Sequence, residues 1–469
     1  MKSKPTGEVR TRTLPGEKHT PFGLACKLSA RVILESSSLS RGRERYSVLL
    51  VEEAFQVRQE KNEVFLIQGK ERRSMGEPEE DILDVIQEIA ERQGEGVYEF
   101  PFPAGGIGFL SFEFAAFCDK MIFPRREDPL GLPLAAFIFG HIYVIFDHYT
   151  DQLHLIAINY GEDDTDLNEA LNRTEAKIRD MNFNYMMEQP SSYPAIIASS
   201  REESEAYKEA VRAVRQEIIK GNLLQAVPSR RLEIATGMPG LEAYRALRSS
   251  NPSPYQFFLD FGPYQLFGAS PEVHVKVKEG RVILRPIAGT RRRGKNEAED
   301  RALAAELLAD EKERAEHLML VDLGRNDLGR ICKVGSVEVT EMMTIEKYSR
   351  VMHIVSQVEG ELAAGKTAGD VIRATFPAGT VSGAPKIQAV NTVAAIEKMP
   401  RSFYAGLVGY LEPGGVLDTC ITIRSALKKE NRLFLQAGGG TVYDSNPERE
   451  LEETNEKLRA LALAAGVEV

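Results

Sequence analysis

The sequence lacks tryptophan and has few cysteines. Cys26, Cys118, Cys332 and Cys420 are its four cysteines among 469 residues, and no two of them form a C-x-x-C pair. A disulfide framework or a thiolate metal site needs cysteines at close, paired spacings, so the sequence argues against both. Widely separated thiols are typical of the reducing cytosol, and we expect a cytoplasmic protein.

A surplus of basic charge is also missing. The chain has 59 Lys and Arg against 69 Asp and Glu, a formal net charge of −10. Nucleic-acid backbones attract proteins of the opposite balance, so we expect no nucleic-acid partner. No apolar run approaches the ~20 residues of a membrane span, and residues 1–25 are charged and broken by Pro and Gly where a secretion signal needs an apolar stretch. We therefore expect no membrane association.

The sequence does contain alternating strand and helix patterns. Up to about residue 190 the patterns are mainly β-rich, with a hairpin turn predicted at 149–151. A polar, acidic stretch then predicts a soft boundary near residues 190–200. Beyond it, a helix is predicted over 204–220 and a second hairpin turns at Glu279-Gly280. Hairpins imply antiparallel pairing, so a mixed α+β fold is favoured over a Rossmann sheet.

Residues 360–367, GELAAGKT, match the phosphate-binding P-loop pattern literally. A working P-loop needs a strand that ends at the first Gly and a helix that starts at the Lys. Here the alternation of Met352 and Ile354 predicts a strand that continues through Gly360. We interpret the segment as a strand-to-helix turn, and a P-loop NTPase stays as a distant alternative.

Two pairs of glutamates have helical spacing. Glu313 and Glu316 are three residues apart, as are Glu450 and Glu453, and Lys457 follows four residues later. On a helix such residues share one face. Such a face is usually exposed to solvent. Two pairs that converge, however, would supply the hard oxygen ligands that Mg²⁺ prefers.

Two glycine-rich segments could bind an anion. In residues 376–386, FPAGTVSGAPK, we expect Thr380 or Ser382 to cap a helix that begins near Pro385, with exposed N–H groups at its start. In residues 436–440, QAGGG, three successive glycines allow close approach of a ligand, although a plain loop is the alternative.

Several isolated residues could add to such a site. Arg424 and Lys457 would supply positive charge, so the inferred ligand is a small multiple anion bound with Mg²⁺. His353 lies in a predicted strand and is either structural or a general acid or base. Glu272 and Thr290 follow tight turns that place side chains at strand ends, where sites are commonly built.

These runs together resemble the chorismate-utilising enzymes, and within that family the anthranilate-forming branch. The resemblance spans nearly all of residues 195–469 and reaches into the first part of the chain. The runs that carry it are ILESSSLSRGRERYS, GGIGFLSFE, LLQAVPSRR, NPSPYQFF, GASPE, RPIAGTRRRG, EKERAEHLMLVDLGRND, EKYSRVMHIVSQVEGEL, FPAGTVSGAPK, LDTCITIRSA, QAGGGTV and ETNEK.

The resemblance implies an α/β sandwich with two large, mostly antiparallel sheets between helical layers. Residues 1–190 would be an N-terminal subdomain with a regulatory segment and residues 191–469 the catalytic subdomain, both parts of one compact body. The implied reaction is the Mg²⁺-dependent conversion of chorismate and ammonia to anthranilate and pyruvate, the first step of tryptophan biosynthesis.

The resemblance also implies residue roles. Glu316 and Glu453 would be the principal Mg²⁺ ligands, with Glu313 and Glu450 acting through water. Glu272 would be the general acid that protonates the departing C4 hydroxyl while ammonia attacks C2. The remaining site residues would grip the substrate carboxylates, line the pocket or assist pyruvate elimination: Arg424, Tyr404, Lys457, Gly438, Gly439 and Gly440 for the carboxylates, Gly289, Thr290 and Thr380 for the pocket, and His353 for the elimination.

Two positions differ between branches of the family. Isochorismate and salicylate synthases carry Lys at the position of Gln225, where they need a base to activate water, so Gln225 favours an amine nucleophile. Some aminodeoxychorismate synthases carry a nucleophilic Lys at the position of Ala288. Others share the PIAGT run found here, and aminodeoxychorismate synthase component I therefore stays the alternative.

Ammonia must come from a second protein if the resemblance holds. No cysteine lies in a G-x-C-x-G nucleophile turn, so we expect a glutamine amidotransferase partner and a hetero-oligomer. The resemblance also implies a feedback site for tryptophan. Its residues would be Glu35, Ser36, Pro254, Tyr255, Cys420 and Gln256, the last standing where Met is usual.

Overall fold

The computed structural model of the chain describes residues 7–37, 45–77, 79–93, 98–184, 193–198, 201–348 and 351–469. Its strands are β1 (Glu8–Pro15), β2 (Val32–Glu35), β3 (Tyr46–Glu60), β4 (Glu63–Gln68), β5 (Glu71–Met75), β6 (Ile107–Leu110), β7 (Ala135–Asp147), β8 (Gln152–Asn159), β9 (Ala195–Ile197), β10 (Gln225–Ala226), β11 (Ser229–Thr236), β12 (Tyr255–Asp260), β13 (Tyr264–Ser270), β14 (Val273–Lys278), β15 (Arg281–Leu284), β16 (Ile287–Arg292), β17 (Glu338–Lys347), β18 (Val351–Glu361), β19 (Gly383–Ala384), β20 (Leu407–Leu411), β21 (Leu417–Ile421), β22 (Ser425–Lys429) and β23 (Arg432–Gly438).

The helices surround these strands. They are α1 (Pro21–Leu28), α2 (Ile82–Glu91), α3 (Leu167–Arg179), α4 (Arg201–Ile219), α5 (Gly240–Ser250), α6 (Glu297–Ala309), α7 (Glu311–Gly329), α8 (Ala368–Thr375), α9 (Gly379–Ser382), α10 (Lys386–Ile396) and α11 (Pro447–Ala464), with 3₁₀ turns at Phe112–Phe117 and Pro413–Gly415.

Two long strands, β3 and β7, join two antiparallel sheets. Strand pairing gives a first sheet in the order β9-β11-β23-β22-β13-β12-β2-β3-β7-β8-β1 and a second in the order β5-β4-β3-β7-β6-β20-β21-β14-β15-β18, with β16 and β17 also paired to β18. The register of β3 against β7 shifts between Leu50 and Phe55, and such bulges bend a strand pair. The predicted pair of large antiparallel sheets is confirmed, and the two form one network of 21 strands.

Alternating residues of these strands face two apolar cores. Leu50 and Val57 of β3 belong to the core between the sheets, with Phe109 of β6 and Val275 of β14. Leu49, on the opposite face of β3, belongs to a second core beneath α1, α3, α5 and α11. The period of two in a strand therefore supplies both layers.

The sequence-predicted local elements are confirmed where they are described. β7 and β8 form the hairpin across 149–151, α4 ends at Ile219 before Gly221, and β14 turns into β15 at Glu279-Gly280. Glu279 and Gly280 both have positive φ, 51° and 73°, as a type I′ hairpin turn requires.

The segment 360–367 is the expected strand-to-helix turn. β18 continues through Gly360 to Glu361, and α8 begins only at Ala368. Thr367 and Asp370 form a reciprocal capping box, so the first N–H groups of the helix are bonded within the chain rather than open to a phosphate. The P-loop interpretation is wrong for this segment.

The predicted boundary near residue 190 falls in 185–192, outside the described residues, and the division into two subdomains stays a prediction. Strands from both sides of it pair, β2 with β12 and β6 with β20. None of the helices in the described ranges combines the length and apolar character needed to cross a bilayer.

Candidate active site

Two helices bring the paired glutamates to one space. α7 carries Glu313 and Glu316 in its first turns, after Asp310 caps its N-terminus, and α11 carries Glu450 and Glu453 after the cap Asn446. Burial raises the pKa of Glu316, and the charges of Glu313 and Glu453 raise it further. This interaction shows that carboxylates from the two helices face each other.

Glu450 lies against the same space. Burial raises its pKa, and the charges of Glu453 and Glu316 add to the effect, whereas Ser445 and Lys457 oppose it. Its Oε2 atom is buried and accepts no hydrogen bond within the described chain. An acidic oxygen left in this state fits a hard cation such as Mg²⁺, and the donor set of carboxylates suits that ion.

The four carboxylates do not form a closed cage. No three of them bring an oxygen each to within 4.8 Å of one another. Glu313 accepts from Arg291 Nη1 at 3.2 Å, and Glu453 Oε1 is 2.6 Å from Lys457 Nζ, with 47% of its side chain exposed. The arrangement leaves room for substrate oxygens and water, which Mg²⁺ sites usually include.

Gln225 connects this acidic group to the glycine-rich segment. It lies on β10, and its amide Nε2 donates to Glu316 Oε1 at 2.9 Å, which favours the ionised carboxylate. Its Oε1 atom is buried and unbonded within the described chain. An amide has no lone pair on nitrogen basic enough to take a proton from water, so Gln225 cannot act as a base.

Gly439 and Gly440 lie against the acidic space, and a side chain at either position would not fit. A Cβ at position 439 would lie 2.8 Å from Glu450 Oε2 and 3.0 Å from the Tyr207 hydroxyl, and one at position 440 would overlap the Gln225 amide nitrogen. The segment after β23 is therefore packed directly against Glu450, Tyr207 and Gln225.

Positive charge lies on the other side of this segment. Lys457 Nζ donates to the Gly438 carbonyl at 2.8 Å, and Arg424 Nη1 donates to the Lys457 carbonyl at 3.2 Å. Tyr404 is buried beside Gly438, and burial raises its pKa to about 12, so its hydroxyl remains a donor. Two cations and a phenol in this position can bind carboxylates of a substrate.

Glu272 occupies a buried position in the turn between β13 and β14. Burial raises its pKa to about 8, although Thr380 and the Lys457 cation partly oppose the shift. Glu272 and Thr380 line one cavity together with Leu320 and Leu323 of α7. A carboxyl that holds its proton at neutral pH can act as a general acid.

His353 has the opposite shift. Its Nδ1 lies 3.0 Å from the Gly289 carbonyl and 3.1 Å from Thr290 Oγ1, and burial lowers its pKa to about 4. With the Nδ1 proton donated to that carbonyl, Nε2 carries the free lone pair of a neutral imidazole. Gly289 itself has φ +66°, and a Cβ there would lie 3.2 Å from Glu313 Oε2.

The six residues of the predicted feedback segment come from three strands. Glu35 and Ser36 lie at the end of β2, Pro254, Tyr255 and Gln256 at the start of β12, and Cys420 on β21. Glu35 is paired in register with Gln256, and its carboxylate accepts from Arg248 at 2.6 and 2.7 Å and from the Tyr244 hydroxyl at 3.0 Å. Ser36, next to Glu35, has a buried Oγ with no hydrogen bond within the described chain.

Tyr255 donates to Asp418 Oδ1 at 2.9 Å and packs into the core between the sheets with the buried Cys420. Pro254 precedes Tyr255 at the start of β12 and is half-buried.

Sequence reasoning missed some of the residues that shape these two regions. The periodicity of α4 makes Tyr207 a core residue, yet its hydroxyl lies close to Gly439 at the edge of the acidic space. Arg248 and Tyr244 of α5 hold Glu35. Their separation of more than 200 residues from Glu35 leaves no local signal for this contact.

Comparison with known proteins places this architecture in one family. The model for the chorismate binding enzyme family matches residues 34–463, so the chain belongs to that family. Anthranilate synthase component 1 of Spirochaeta aurantia is 57% identical over 464 residues, which cover 98% of this chain and 96% of that protein. The component 1 protein of Pseudomonas aeruginosa is 42% identical over 374 residues, 78% of this chain and 76% of that protein.

A solved structure agrees with the sequence relatives. Anthranilate synthase component I from Streptococcus pneumoniae superimposes with a TM-score of 0.80 at 36% identity, covering 89% of this chain and 92% of that one. The chain is an enzyme of the chorismate-binding family, and the relatives it matches over nearly their whole length are named anthranilate synthase component 1.

Proposed function

We propose that the chain converts chorismate to anthranilate and pyruvate, with ammonia as the nucleophile and Mg²⁺ as the cofactor, in the first step of tryptophan biosynthesis. The observation that carries the proposal is the meeting of Glu316, Glu450 and Glu453 across two helices, with the cations Lys457 and Arg424 beside them. Full-length relatives named anthranilate synthase component 1 support the same activity.

Mg²⁺ would be held by Glu316 and Glu453, with Glu313 and Glu450 acting through water, and when bound it would neutralise a substrate carboxylate and so favour displacement on the ring. The remaining anionic group of the substrate would be bound by Arg424, Lys457 and Tyr404. These fixed donors orient the ring between Glu272 and the glycine segment.

The two titratable groups then act in order. Glu272, protonated because of its burial, donates a proton to the departing C4 hydroxyl while ammonia attacks C2. His353, neutral because of its burial, presents the Nε2 lone pair and can take a proton in the elimination of pyruvate that makes the ring aromatic. Neither group must change its protonation state before the reaction begins.

Gln225 supports an amine rather than water as the nucleophile. Its side chain is fixed by donation to Glu316, and it offers no base to activate water. The ammonia would come from a glutamine amidotransferase subunit in a hetero-oligomer, which the component 1 designation of the relatives supports.

Product identity from the purified chain tests the proposal. With chorismate, an ammonium salt and Mg²⁺, we expect anthranilate fluorescence that disappears on chelation with EDTA. Accumulation of aminodeoxychorismate without aromatisation would instead support the alternative branch and overturn the proposal.

The source of ammonia needs a second arm of the same assay. Glutamine in place of the ammonium salt should give no anthranilate from the chain alone and should give it once an amidotransferase subunit is added. Turnover of glutamine by the isolated chain would contradict the proposed partner.

A further inference from the structure

A second cluster of metal-binding side chains lies outside the candidate active site, between β7 and the loop that links β8 to α3. It consists of His141, Glu162 and Asp163, each of which places one ligand atom within 4.8 Å of the others. His141 is buried in β7, and Glu162 and Asp163 follow the turn at Gly161, whose φ is +81°. None of these residues contributes to the acidic group of α7 and α11.

The orientation of His141 is fixed by the backbone. Its Nδ1 lies 2.9 Å from the Ile158 carbonyl, which can only accept, so Nδ1 carries a proton. Donation from a ring N–H to a carbonyl is the usual way in which a metal-binding histidine is held, because it leaves Nε2 free as the ligand atom.

Nε2 of His141 faces two carboxylates. It is 3.3 Å from Asp163 Oδ2 and 3.6 Å from Glu162 Oε1. A neutral imidazole would direct its lone pair at two carboxylate groups, which is unfavourable unless a proton or a metal ion lies between them. Burial raises the pKa of Glu162, but at 3.6 Å a proton on its carboxyl would not reach Nε2 as a hydrogen bond. The bridging group is therefore a proton on Nε2 or a metal ion.

Glu162 favours the metal ion. Its side chain is only 6% exposed, and both carboxylate oxygens are buried without a hydrogen-bond donor in the described chain. A proton on Nε2 would serve Asp163 and leave Glu162, at 3.6 Å, without a bond. Buried carboxylates without a partner are rare, and an ion is one of the standard explanations.

The distances also fit a small first-row ion. Four ligands at roughly 2.0 to 2.1 Å around a tetrahedral Zn²⁺ are separated by about 3.3 Å along each edge. The two separations from Nε2, 3.3 and 3.6 Å, are close to that value. One nitrogen and two carboxylate oxygens suit Zn²⁺ better than Ca²⁺ or Mg²⁺, which prefer all-oxygen sites.

The loop is shaped to hold the ligands in place. Thr165 N donates to Asp163 Oδ1 at 2.9 Å and leaves Oδ2 directed at His141. Asn159 Nδ2 donates to the Asp163 carbonyl at 3.0 Å. Thr165 Oγ1, 3.5 Å from His141 Nε2, can bind a water in the fourth position.

We propose that His141, Glu162 and Asp163 form a structural site for Zn²⁺ or a similar first-row divalent ion, which fastens the loop before α3 to β7. The site is separate from the proposed catalytic Mg²⁺ and does not depend on the proposed reaction.

The test uses the full chain, stripped of metal by chelation and then kept in excess Mg²⁺ to fill the carboxylate site. Titration with Zn²⁺ should show one equivalent bound and a rise in Tm of several degrees. Co²⁺ in its place should give the intense visible bands of a tetrahedral site with a histidine ligand. Absence of stoichiometric binding and of these bands overturns the proposal and leaves a protonated histidine as the charge in the cluster.

Variants locate the ion. His141→Gln and Glu162→Gln should each weaken Zn²⁺ binding by at least about a hundredfold, and Asp163→Asn, which changes a more exposed side chain, should do so without risk to the core. His154→Gln on β8 is the matched control and should bind Zn²⁺ like the parent chain. Undiminished binding by Asp163→Asn and by whichever buried variant folds would overturn the proposal.

Discussion

Burial is the main cause of the charge states of the two candidate proton carriers. It raises the pKa of the Glu272 carboxyl to about 8 and lowers the pKa of the His353 imidazole to about 4. Both groups are therefore neutral near pH 7, one with a proton to give and the other with a lone pair to accept one. An ionised carboxylate, the usual state of glutamate at neutral pH, and an imidazolium, the usual state of histidine in acid solution, would be wrong for these roles.

Glu272→Gln tests the proposed general acid. Glutamine keeps the shape but cannot donate an acidic proton, so kcat should fall by about 10²- to 10⁴-fold. In the parent chain kcat/KM should decline as pH rises through about 8, because Glu272 loses its proton there. Glu279→Gln, in an exposed turn, is the control. An unchanged alkaline limb in active Glu272→Gln would remove this residue from the role.

Glu272→Gln should stabilise the chain at alkaline pH, although it lowers kcat. Because folding raises the pKa of Glu272 from 4.5 to about 8, the folded state binds a proton that the unfolded chain releases. The parent chain therefore loses stability as pH rises from 4.5 to 8. We expect Glu272→Gln to have a higher Tm than the parent at pH 9 and little advantage at pH 4, measured by calorimetry.

Glu453→Ala tests the proposed metal ligand. Its side chain is half-exposed, so the fold should be kept while Mg²⁺-dependent turnover falls by about a hundredfold or more. Glu452→Ala, one residue away on the solvent side, should keep full activity. Titration of activity against Mg²⁺ measures the loss, and equal kinetics of the two variants would exclude Glu453 from the site.

At the scale of elements, the segment after β23 determines how closely α11 approaches the site. Gly439→Ala would place a methyl group 2.8 Å from Glu450 Oε2. The shift this forces should lower kcat/KM about tenfold and cost about 1–3 kcal/mol of unfolding free energy. Gly237→Ala is the control, because no heavy atom lies within 4 Å of its Cβ position. Steady-state kinetics with chorismate and Mg²⁺ measure kcat/KM of the two variants, and denaturant unfolding measures their stability. Values for Gly439→Ala that equal those of the parent chain would contradict this packing.

Elements with strong local signals were predictable from the sequence. The stripe of α4 and the positive-φ turn at Glu279-Gly280 depend on neighbours within a few residues. The approach of the α7 carboxylates to those of α11 was predictable only through the family resemblance, because no local pattern specifies which helices face each other. The cluster of His141 with Glu162 had no signal, since the two residues come together only when β7 and β8 pair.

The N-terminal cap of α10 was predicted wrongly. We expected Thr380 or Ser382 to cap the helix that begins near Pro385, but Pro385 itself is the N-cap residue and no side chain bonds there. Ser382 Oγ donates back to the Ala378 carbonyl. Lys386 points inward and is 2.7 Å from Asp327. The short helix α9 uses the hydroxyl for its own backbone, a competition that sequence spacing does not reveal.

For the whole molecule, the feedback segment joins the two parts of the chain. Glu35 of β2 is bound to Arg248 of α5, and β2 lies beside β12. We propose that tryptophan binds near this contact and inhibits, even though Gln256 replaces the usual Met. Activity measured against increasing tryptophan should fall, and Glu35→Gln should reduce the sensitivity with less effect on uninhibited turnover. A flat response of the parent chain would contradict the proposed site.

The pairing of β2 with β12 and of β6 with β20 also has a consequence for synthesis on the ribosome. One edge of β2 meets its partner only after some 220 further residues have emerged, and β6 waits about 300 for β20. The apolar faces of these early strands stay uncovered through most of translation. Chaperones that bind nascent chains therefore matter more for this protein than for one whose strands pair with their nearest neighbours.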